Sequence, residues 1–261
     1  MTYTTVLHAG LGNQLFQLFS IYGLAKKHNK SFYISSKLYG GNKHANSYFH
    51  LFNHFHNPYL TFTGFIRINE EEEFEIQNID QYKDLDCVFF GFFQNINYFH
   101  DYYFDINKHL LKIFNKSLIH NIDEYTAIHF RTGDNTPCNK KHYINLNNYY
   151  LNAIDHIPDT EKIILFSDNM TQARIEYEIV FKKLENKFKD IKEITDMNEV
   201  QTLSNMCRCK SIVMSNSTFA WWASYINHHK KTLIIQPSKL LNGPNEHKSM
   251  QKIPSSIVLN V

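Results

Sequence analysis

The residue types best suited to binding a phosphorylated ligand lie in the middle of the chain, in the segment HFRTGD at 129–134. In an extended strand, His129 and Arg131 point to one face while Phe130 points to the opposite, core-facing side. Two such polar side chains at the end of a buried strand are costly unless a partner meets them. Asp134 is one candidate partner, in a structural ion pair. A phosphate group is the other, because the arginine fork matches its oxygens with two parallel hydrogen bonds.

A glycine-rich segment near the start of the chain suits the same chemistry. Residues 10–14, GLGNQ, lie between a β-prone stretch and a stretch with helical spacing, which predicts a turn between a strand and a helix. Glycine permits positive φ and a close approach of the main chain, and the following helix offers N–H groups to an anion. A plain tight turn is the alternative. The candidate anion-binding residues of this segment are Gly10, Gly12, Asn13 and Gln14.

Two more polar clusters follow predicted strands in the second half of the chain. Asn216, Ser217 and Thr218 lie where a strand passes into a helix. Hydroxyl residues at such a junction either cap the helix or bind phosphate together with the open N–H groups of its first turn. Asp168 follows another strand, at a position where its carboxylate can accept hydrogen bonds from a nucleobase or a ribose.

The elements that must position these clusters alternate between strand and helix. Predicted strands cover 4–8, 31–34, 87–93, 125–130, 162–166, 210–214 and 232–235, and predicted helices cover 13–27, 98–114, 149–157, 171–181 and 218–226. This alternation of strands and helices predicts an α/β fold, in which ligands bind at the carboxyl ends of the strands. The composition turns polar near 115–125, so we place a boundary there between an N-terminal lobe, 1–122, and a C-terminal lobe, 123–261.

Composition excludes several classes of protein. Hydrophobic residues make up 43% of the 261 residues and charged residues 20%, which is typical of a globular chain with a sizeable core. A net charge of +2 is too small for a nucleic-acid-binding surface, although it allows a local basic pocket for a phosphorylated ligand. Because no apolar run approaches about 18 residues, we expect neither a membrane span nor a signal peptide. We expect a cytoplasmic protein with at most peripheral membrane association.

The cysteines do not favour a metal centre. Their spacing is that of neither a disulfide framework nor a zinc site, so we expect buried, reduced thiols at Cys87, Cys138, Cys207 and Cys209. An acidic run at 70–73 is interpreted as a solvated loop or helix end.

Four segments, in order along nearly the whole chain, resemble motifs of glycosyltransferase family 11, the α-1,2-fucosyltransferases. AGLGNQLFQ at 9–17 is similar to the family signature GGLGNQ(L/M)FQ, and GFFQNINYF at 91–99 is similar to a GYFQSEKYF-like element. HFRTGDN at 129–135 is similar to the central motif HxRRGDY. The C-terminal CKH..I.SNS(T/S)FSWW stretch is matched by CK at 209–210 and by SNSTFAWW at 215–222.

The resemblance implies a GT-B fold, with two Rossmann-like lobes and a cleft between them. It also implies GDP-β-L-fucose as the donor, inversion to an α-linkage and transfer to a glycan hydroxyl, the 2-OH. The N-terminal lobe would then be the acceptor side, and the C-terminal lobe would bind the donor. Arg131 is carried over most directly, since the matching arginine of this and related families holds the donor pyrophosphate.

These considerations give a set of candidate site residues. Arg131 and Asp134 are the candidate catalytic residues. Asp134 is a candidate base, but the alternative is that its carboxylate pairs with Arg131 or His129. The candidate donor-binding residues are Gly10, Gly12, Asn13, Gln14, His129, Arg131, Asp168, Asn216, Ser217 and Thr218.

We expect no cofactor and no metal. Many sugar-nucleotide transferases hold a metal with an Asp-x-Asp motif, and this chain has one at 84–86, DLD. The motif precedes its predicted strand, so its carboxylates would face away from the carboxyl end where the donor is expected.

The chain also departs from the family pattern. Thr132 stands where the central motif has its second arginine, and Asn135 stands where it has tyrosine. The acceptor preference is therefore open. Two rival functions are a transferase for another nucleotide sugar and a nucleotide- or glycan-binding protein without catalysis; the presence of Arg131 disfavours the second.

Overall fold

The computed structural model describes residues 1–35, 38, 48–70, 76, 78–114, 119–132, 143–241 and 250–261. The candidate catalytic residue Asp134, Cys138 and residues 71–73 of the acidic run lie outside the described residues. Contacts between residues divide the chain into two compact units, Met1–Ile113 and Phe114–Val261. The polar composition places the boundary later, after residue 122, which lies inside the second unit.

The N-terminal unit is built on a parallel sheet. Its described strands are β1 (Thr2–Thr5), β2 (Ser31–Phe32), β3 (Ile66–Asn69) and β4 (Cys87–Phe90), in the order β2-β1-β4-β3. Helix α1 (Leu11–Lys27) follows β1, and helix α2 (Tyr103–Ile113) follows β4. Short 3₁₀ turns occupy Phe49–Phe55, Ile79–Tyr82, Ile96–Tyr98 and His100–Tyr102. Because the strands run in one direction, their carboxyl ends meet at one edge of the sheet.

Helix α1 is buried on nearly every side, which is unusual for a helix that carries several polar residues. Its fully buried apolar side chains include Leu15, Phe16, Leu18, Phe19 and Ile21. Three polar side chains are equally buried and therefore need hydrogen-bond partners inside the protein: Gln14, Gln17 and Ser20.

The end of α1 is set by local backbone chemistry. Asn29 adopts a left-handed conformation with φ of 55°. The N–H groups of Asn29 and Lys30 donate to the carbonyl oxygens of Lys26 and Ala25 at 3.1 and 2.7 Å. This is the Schellman arrangement, which satisfies carbonyls that the helix itself leaves unpaired.

The C-terminal unit is built on a second parallel sheet. Its described strands are β5 (Tyr125–Phe130), β6 (Lys162–Ser167), β7 (Ile191–Ile194), β8 (Ser211–Val213), β9 (Leu233–Pro237) and β10 (Ile257–Leu259). Its described helices are α3 (Asn147–Asp155), α4 (Met170–Glu176), α5 (Glu178–Lys187), α6 (Glu199–Met206) and α7 (Thr218–Tyr225), with 3₁₀ turns at Ile122–Glu124 and His228–Lys230. The strand order is β10-β9-β8-β5-β6-β7, so the direction of winding reverses between β5 and β8.

Strand β5 lies at the centre of this unit. Every residue of β5 is buried, as expected for a parallel strand covered on both faces. The Phe130 ring packs against the rings of Tyr150, Tyr177 and Phe181, with centroids 4.8, 5.3 and 5.0 Å away. The Tyr150 hydroxyl donates to the carbonyl oxygen of His129 at 2.7 Å. The core therefore fixes the end of β5 directly before Arg131.

The fold class predicted from the sequence, α/β, is confirmed, and β5 has the predicted bounds. Several other bounds were wrong. Helix α1 begins at Leu11 rather than Asn13, so Gly12 lies inside its first turn. The single helix predicted over 171–181 is two helices, α4 and α5, which meet at Tyr177. Strands β3, β7 and β10 and helix α6 were not predicted.

The cysteine prediction is confirmed where the structure describes the residues, since Cys87, Cys207 and Cys209 are buried free thiols. Across the described residues, no helix is both long and apolar enough to cross a bilayer.

The turn after β1 contains a strained residue. Ala9 has φ of 63°, a left-handed conformation that costs about 1–3 kcal/mol for a residue with a Cβ. Gly10 next to it has an ordinary φ of −71°. The positive φ that the glycine signature suggested therefore falls on Ala9, at the position where the family signature has its first glycine.

We expect the substitution Ala9→Gly to raise the free energy of unfolding by about 1 kcal/mol, because it removes this strain at a smaller entropic cost. Gly64→Ala is the matched opposite change. Gly64 has φ of 81° and open space around its Cα, so the added Cβ should cost about 1 kcal/mol through backbone strain alone. Urea unfolding of the two variants measures both effects. An unchanged or lower stability of Ala9→Gly would contradict the assignment of strain.

Candidate functional site

The polar clusters of the C-terminal unit meet at the carboxyl ends of β5 and β8. These are the strands between which the winding direction reverses. In doubly wound sheets the loops beyond such a pair of strands diverge and leave a crevice, which is where these folds bind nucleotides. Arg131 follows β5, and residues 214–217 follow β8.

Arg131 connects the two loops. Its side chain is half-buried, and Nη1 donates to the backbone carbonyl of Asn216 at 2.9 Å. The Tyr177 hydroxyl donates to the carbonyl oxygen of Arg131 at 3.4 Å. A guanidinium group carries five N–H donors in a rigid fork, so the bond at Nη1 restrains the positions of the other donors. A positive charge is thereby held at the point of reversal.

His129 supports this arrangement from a buried position. Only 6% of its surface is exposed, and Nδ1 lies 2.7 Å from Oγ of Ser215. Its ring packs against Phe219, with centroids 5.7 Å apart. Burial, reinforced by the charge of Arg131, lowers the pKa of His129 to about 4, although Asp168 opposes the shift. His129 is therefore neutral at pH 7 and places no second positive charge beside Arg131.

The segment after β8 caps the following helix. Ser217 is the N-cap residue of α7, and its Oγ accepts a hydrogen bond from the N–H of Phe219 at 3.2 Å. Thr218 is the first residue of the helix. Asn216 is fully buried, and its Nδ2 donates to the carbonyl of Leu240 at 3.3 Å. The capping interpretation therefore holds for Ser217. A hydroxyl whose oxygen accepts a bond still carries a hydrogen that it can donate to a phosphate.

Thr132 and Asp168 form a second link, between β5 and β6. The N–H and the hydroxyl of Thr132 both donate to Oδ1 of Asp168, at 2.9 and 2.8 Å. Thr132 is 1% exposed, whereas Asp168 is exposed. The residue that replaces the second arginine of the central motif thus orients the carboxylate predicted to contact the nucleoside.

The glycine-rich segment of the N-terminal unit has a different setting. Nε2 of Gln14 donates to the carbonyl of Ala9 at 2.8 Å, and Oε1 of Gln17 accepts the N–H of His8 at 2.9 Å. Oδ1 of Asn13 accepts from Nε2 of Gln94 at 2.8 Å. These side chains hold the loops that follow β1 and β4. A direct contact of Gly10, Gly12, Asn13 or Gln14 with the donor stays a prediction.

The two N-terminal motifs are packing partners. Oγ of Ser20 donates to the carbonyl of Phe93 at 2.8 Å, and the rings of Phe16 and Phe99 lie 6.0 Å apart. A Cβ built on Gly23 would come within 2.1 Å of the carbonyl oxygen of Tyr98, so only glycine permits this approach. The segment 9–27 and the segment 91–99 therefore form one assembly. In the C-terminal unit, the His129–Ser215 and Arg131–Asn216 bonds join the other two motifs in the same way.

Sequence reasoning missed Glu70, which it assigned to a solvated acidic run. The Glu70 side chain is half-buried, and its carboxylate accepts the N–H groups of Phe92 and Phe93 in the loop after β4. The one signal in the sequence is the glycine at 91, which follows the apolar strand directly and leaves room for a neighbouring side chain.

The Asp-x-Asp motif lies where its position in the sequence predicts. Asp86 precedes β4 and accepts the N–H of Thr2 at the amino edge of the sheet. Oδ1 of Asp84 lies 3.9 Å from Nζ of Lys30. Within the described residues, no three His, Cys, Asp or Glu side chains are grouped so that they could hold a metal ion.

Comparison with known proteins decides the family. The model of the family described as Glycosyl transferase family 11 matches residues 1–254, nearly the entire chain. This chain belongs to glycosyl transferase family 11. Membership in family 11 agrees with the order of the four motifs along the chain.

A curated relative is the O-antigen biosynthesis glycosyltransferase WbnK of Escherichia coli. The two sequences are 29% identical over 156 residues, which are 56% of this chain and 50% of WbnK. The aligned region thus spans about half the length of the curated relative.

Solved structures show the fold of this family-11 chain. The E. coli heptosyltransferase WaaC, solved with ADP, aligns over 100% of this chain and 93% of its own, with 10% identity and a TM-score of 0.51. The fold is GT-B. The fucosyltransferase NodZ from Bradyrhizobium aligns over 86% of this chain and 91% of its own, with 10% identity and a TM-score of 0.46.

We expect the buried, neutral His129 to make the C-terminal unit less stable as the pH falls from about 6.5 to 4. The unfolded chain binds a proton near the ordinary histidine pKa of about 6.5, whereas the folded chain does so only near a pKa of about 4. The destabilisation should reach about 3 kcal/mol at pH 4 and fade out above about pH 7. Urea unfolding across this range measures it.

His129→Asn removes the titrating ring, so its stability should fall less steeply over the same pH range. His156→Asn is the control, since His156 is exposed, and it should keep the wild-type slope. Equal slopes for both variants and the wild type would contradict a depressed pKa at His129.

Proposed function

We propose that this chain is an inverting fucosyltransferase, which moves L-fucose from GDP-β-L-fucose to a hydroxyl of a glycan acceptor, the 2-OH. The C-terminal unit would bind the donor, and the N-terminal unit would bind the acceptor. One observation carries the proposal. In this family-11 chain, the arginine of the central motif, Arg131, is held between β5 and β8, where the winding of the doubly wound sheet reverses. Sheets of this kind bind nucleotides at that point.

The chemistry requires a positive charge at this position. When GDP leaves the anomeric carbon, negative charge grows on its β-phosphate, and oriented donors stabilise that charge by several kcal/mol. The Arg131 guanidinium would bind the phosphate oxygens through its fork. The first turn of α7 would add N–H groups, and Ser217 and Thr218 would add hydroxyl hydrogens. Because Arg131 is bonded to the loop that leads into α7, these donors are held in a fixed relation to one another.

Asp168 is the proposed contact to guanine. Its exposed carboxylate, oriented by Thr132, can accept the two adjacent N–H groups that distinguish guanine from adenine. His129 would act through Ser215, to which it is hydrogen-bonded, rather than through its own charge. Asp134, outside the described residues, remains a proposed base; an oxocarbenium-like reaction with late proton loss needs only a weak one.

The curated relative supports a choice of acceptors to test. Since WbnK is an O-antigen biosynthesis glycosyltransferase, an acceptor panel should contain bacterial surface oligosaccharides. The resemblance to galactoside α-1,2-fucosyltransferases adds galactosides such as lactose and N-acetyllactosamine. Release of GDP from GDP-fucose with and without each acceptor tests the function. If the protein turns over only another nucleotide sugar, that sugar and not GDP-fucose is the donor. If the protein binds GDP tightly but transfers no sugar to any acceptor, it is a binding protein and not an enzyme.

Arg131→Ala should lower kcat for fucosyl transfer on the order of 10²- to 10³-fold, because it removes a charge that is used in the transition state. Arg131→Lys should restore only part of the rate, since an ammonium group lacks the bidentate fork. Arg208→Ala is the matched control. Arg208 lies before β8, at the opposite edge of the sheet, and donates to the carbonyl of Ser204. Near-normal turnover by Arg131→Ala would refute the assignment.

Transfer should persist in EDTA, because we propose that Arg131, Ser217, Thr218 and the α7 N-terminus meet the phosphate charge. Initial rates before and after chelation measure this. Mild stimulation by Mg²⁺ fits the proposal, since the ion can bind released GDP. Complete loss of transfer, restored by one equivalent of a metal, would contradict it and make Asp84 and Asp86 the first ligands to substitute.

A further inference from the structure

The loop after β4 is held by a side chain from the neighbouring strand. Glu70 directly follows β3, and its N–H donates to the carbonyl of Phe90 at 2.8 Å, which continues the pairing of β3 with β4. From that position its carboxylate reaches the next loop. Oε2 accepts the N–H of Phe92 at 2.8 Å, and Oε1 accepts the N–H of Phe93. A carboxylate that accepts two backbone N–H groups makes a strong, directional clamp.

Two local features depend on this clamp. A Cβ built on Gly91 would lie 2.3 Å from Cβ of Glu70, so the chain can pass the carboxylate only with glycine there. Phe93 has φ of 51°, a left-handed conformation that a bulky residue adopts only where its surroundings enforce it. The two hydrogen bonds that Glu70 accepts, together with the one that Ser20 donates to the Phe93 carbonyl, hold Phe93 in this conformation.

The clamped loop presents a surface beside the glycine-rich segment. The ring of Phe92 lies 4.8 Å from the ring of His8, in an edge-to-face arrangement. Gln94 donates to Asn13. The side chains of His8, Asn13 and Phe92 are half-buried at the carboxyl edge of the sheet. Amides that donate and accept, next to an aromatic face, match the hydroxyls and C–H faces of a neutral saccharide.

We infer that Glu70 is a positioning residue for acceptor binding: it fixes the loop 91–94. Phe92 then lies beside His8, and the buried Gln94 holds Asn13, on the surface that receives the acceptor saccharide. The inference rests on the proposed function. It assigns to Glu70 no contact with the substrate and no part in proton transfer.

The test is the steady-state kinetics of Glu70→Gln with GDP-fucose and with the acceptor of the panel that the wild type uses best. A glutamine can accept one of the two N–H groups, but its own NH₂ opposes the other. We expect KM for the acceptor to rise about tenfold, while KM for GDP-fucose and the thermal shift given by GDP stay unchanged. Glu70→Asp, which keeps the charge on a shorter side chain, should give a smaller rise and serves if the glutamine variant fails to fold.

Asp101→Asn is the control for the loss of one negative charge, since Asp101 is exposed in the same unit; its constants should match the wild type. An unchanged acceptor KM for both Glu70 variants would overturn the inference. So would a fall in kcat with both KM values unchanged, which marks a loss of folded enzyme. A wild type that transfers no fucose refutes the proposed function first, and the inference with it.

Discussion

Backbone groups beyond the end of a parallel strand lose their partners in the sheet, and each of them must be hydrogen-bonded elsewhere if it is buried. This constraint explains what several side chains near the carboxyl ends of the strands do in the structure. Gln14 and Gln17 bond to the loop after β1, Ser20 and Glu70 bond to the loop after β4, and Arg131 bonds to the loop after β8. As a result, each of these loops at the carboxyl ends of the strands is held in a defined conformation.

The two edges differ in their electrostatics. In the C-terminal unit a half-buried arginine lies next to a histidine that burial keeps neutral, so positive charge is concentrated on one rigid group. In the N-terminal unit the contacts that hold the edge are mainly amide and backbone hydrogen bonds. The pKa of His8 is also lowered, chiefly by burial. A positively charged site suits an anionic ligand. An edge whose carboxylate, that of Glu70, is bonded to backbone N–H groups suits a ligand recognised through hydroxyls.

The elements that could be predicted from the sequence are those whose local pattern matches their environment. Strand β5 is a buried apolar run, and its bounds are correct. Strand β3 has three exposed residues out of four and lies at the edge of its sheet, so it lacks the periodicity that marks a strand. The contacts of the site also differ in whether a local sequence pattern predicts them. Arg131 and Asn216 could be expected to meet because each follows a central strand, whereas the bond of Glu70 to Phe92 joins positions with no common pattern.

Gly23 shows how closely α1 and the segment 91–99 are joined. The helix backbone passes the carbonyl of Tyr98 without a side chain between them. The backbone of one segment therefore cannot shift during evolution unless the other segment shifts with it. A change to any larger residue at position 23 would have to be accompanied by a shift of the chain at 98 and 99. Position 23 should therefore tolerate less variation among homologues than the larger apolar positions around it, which can exchange volume with one another.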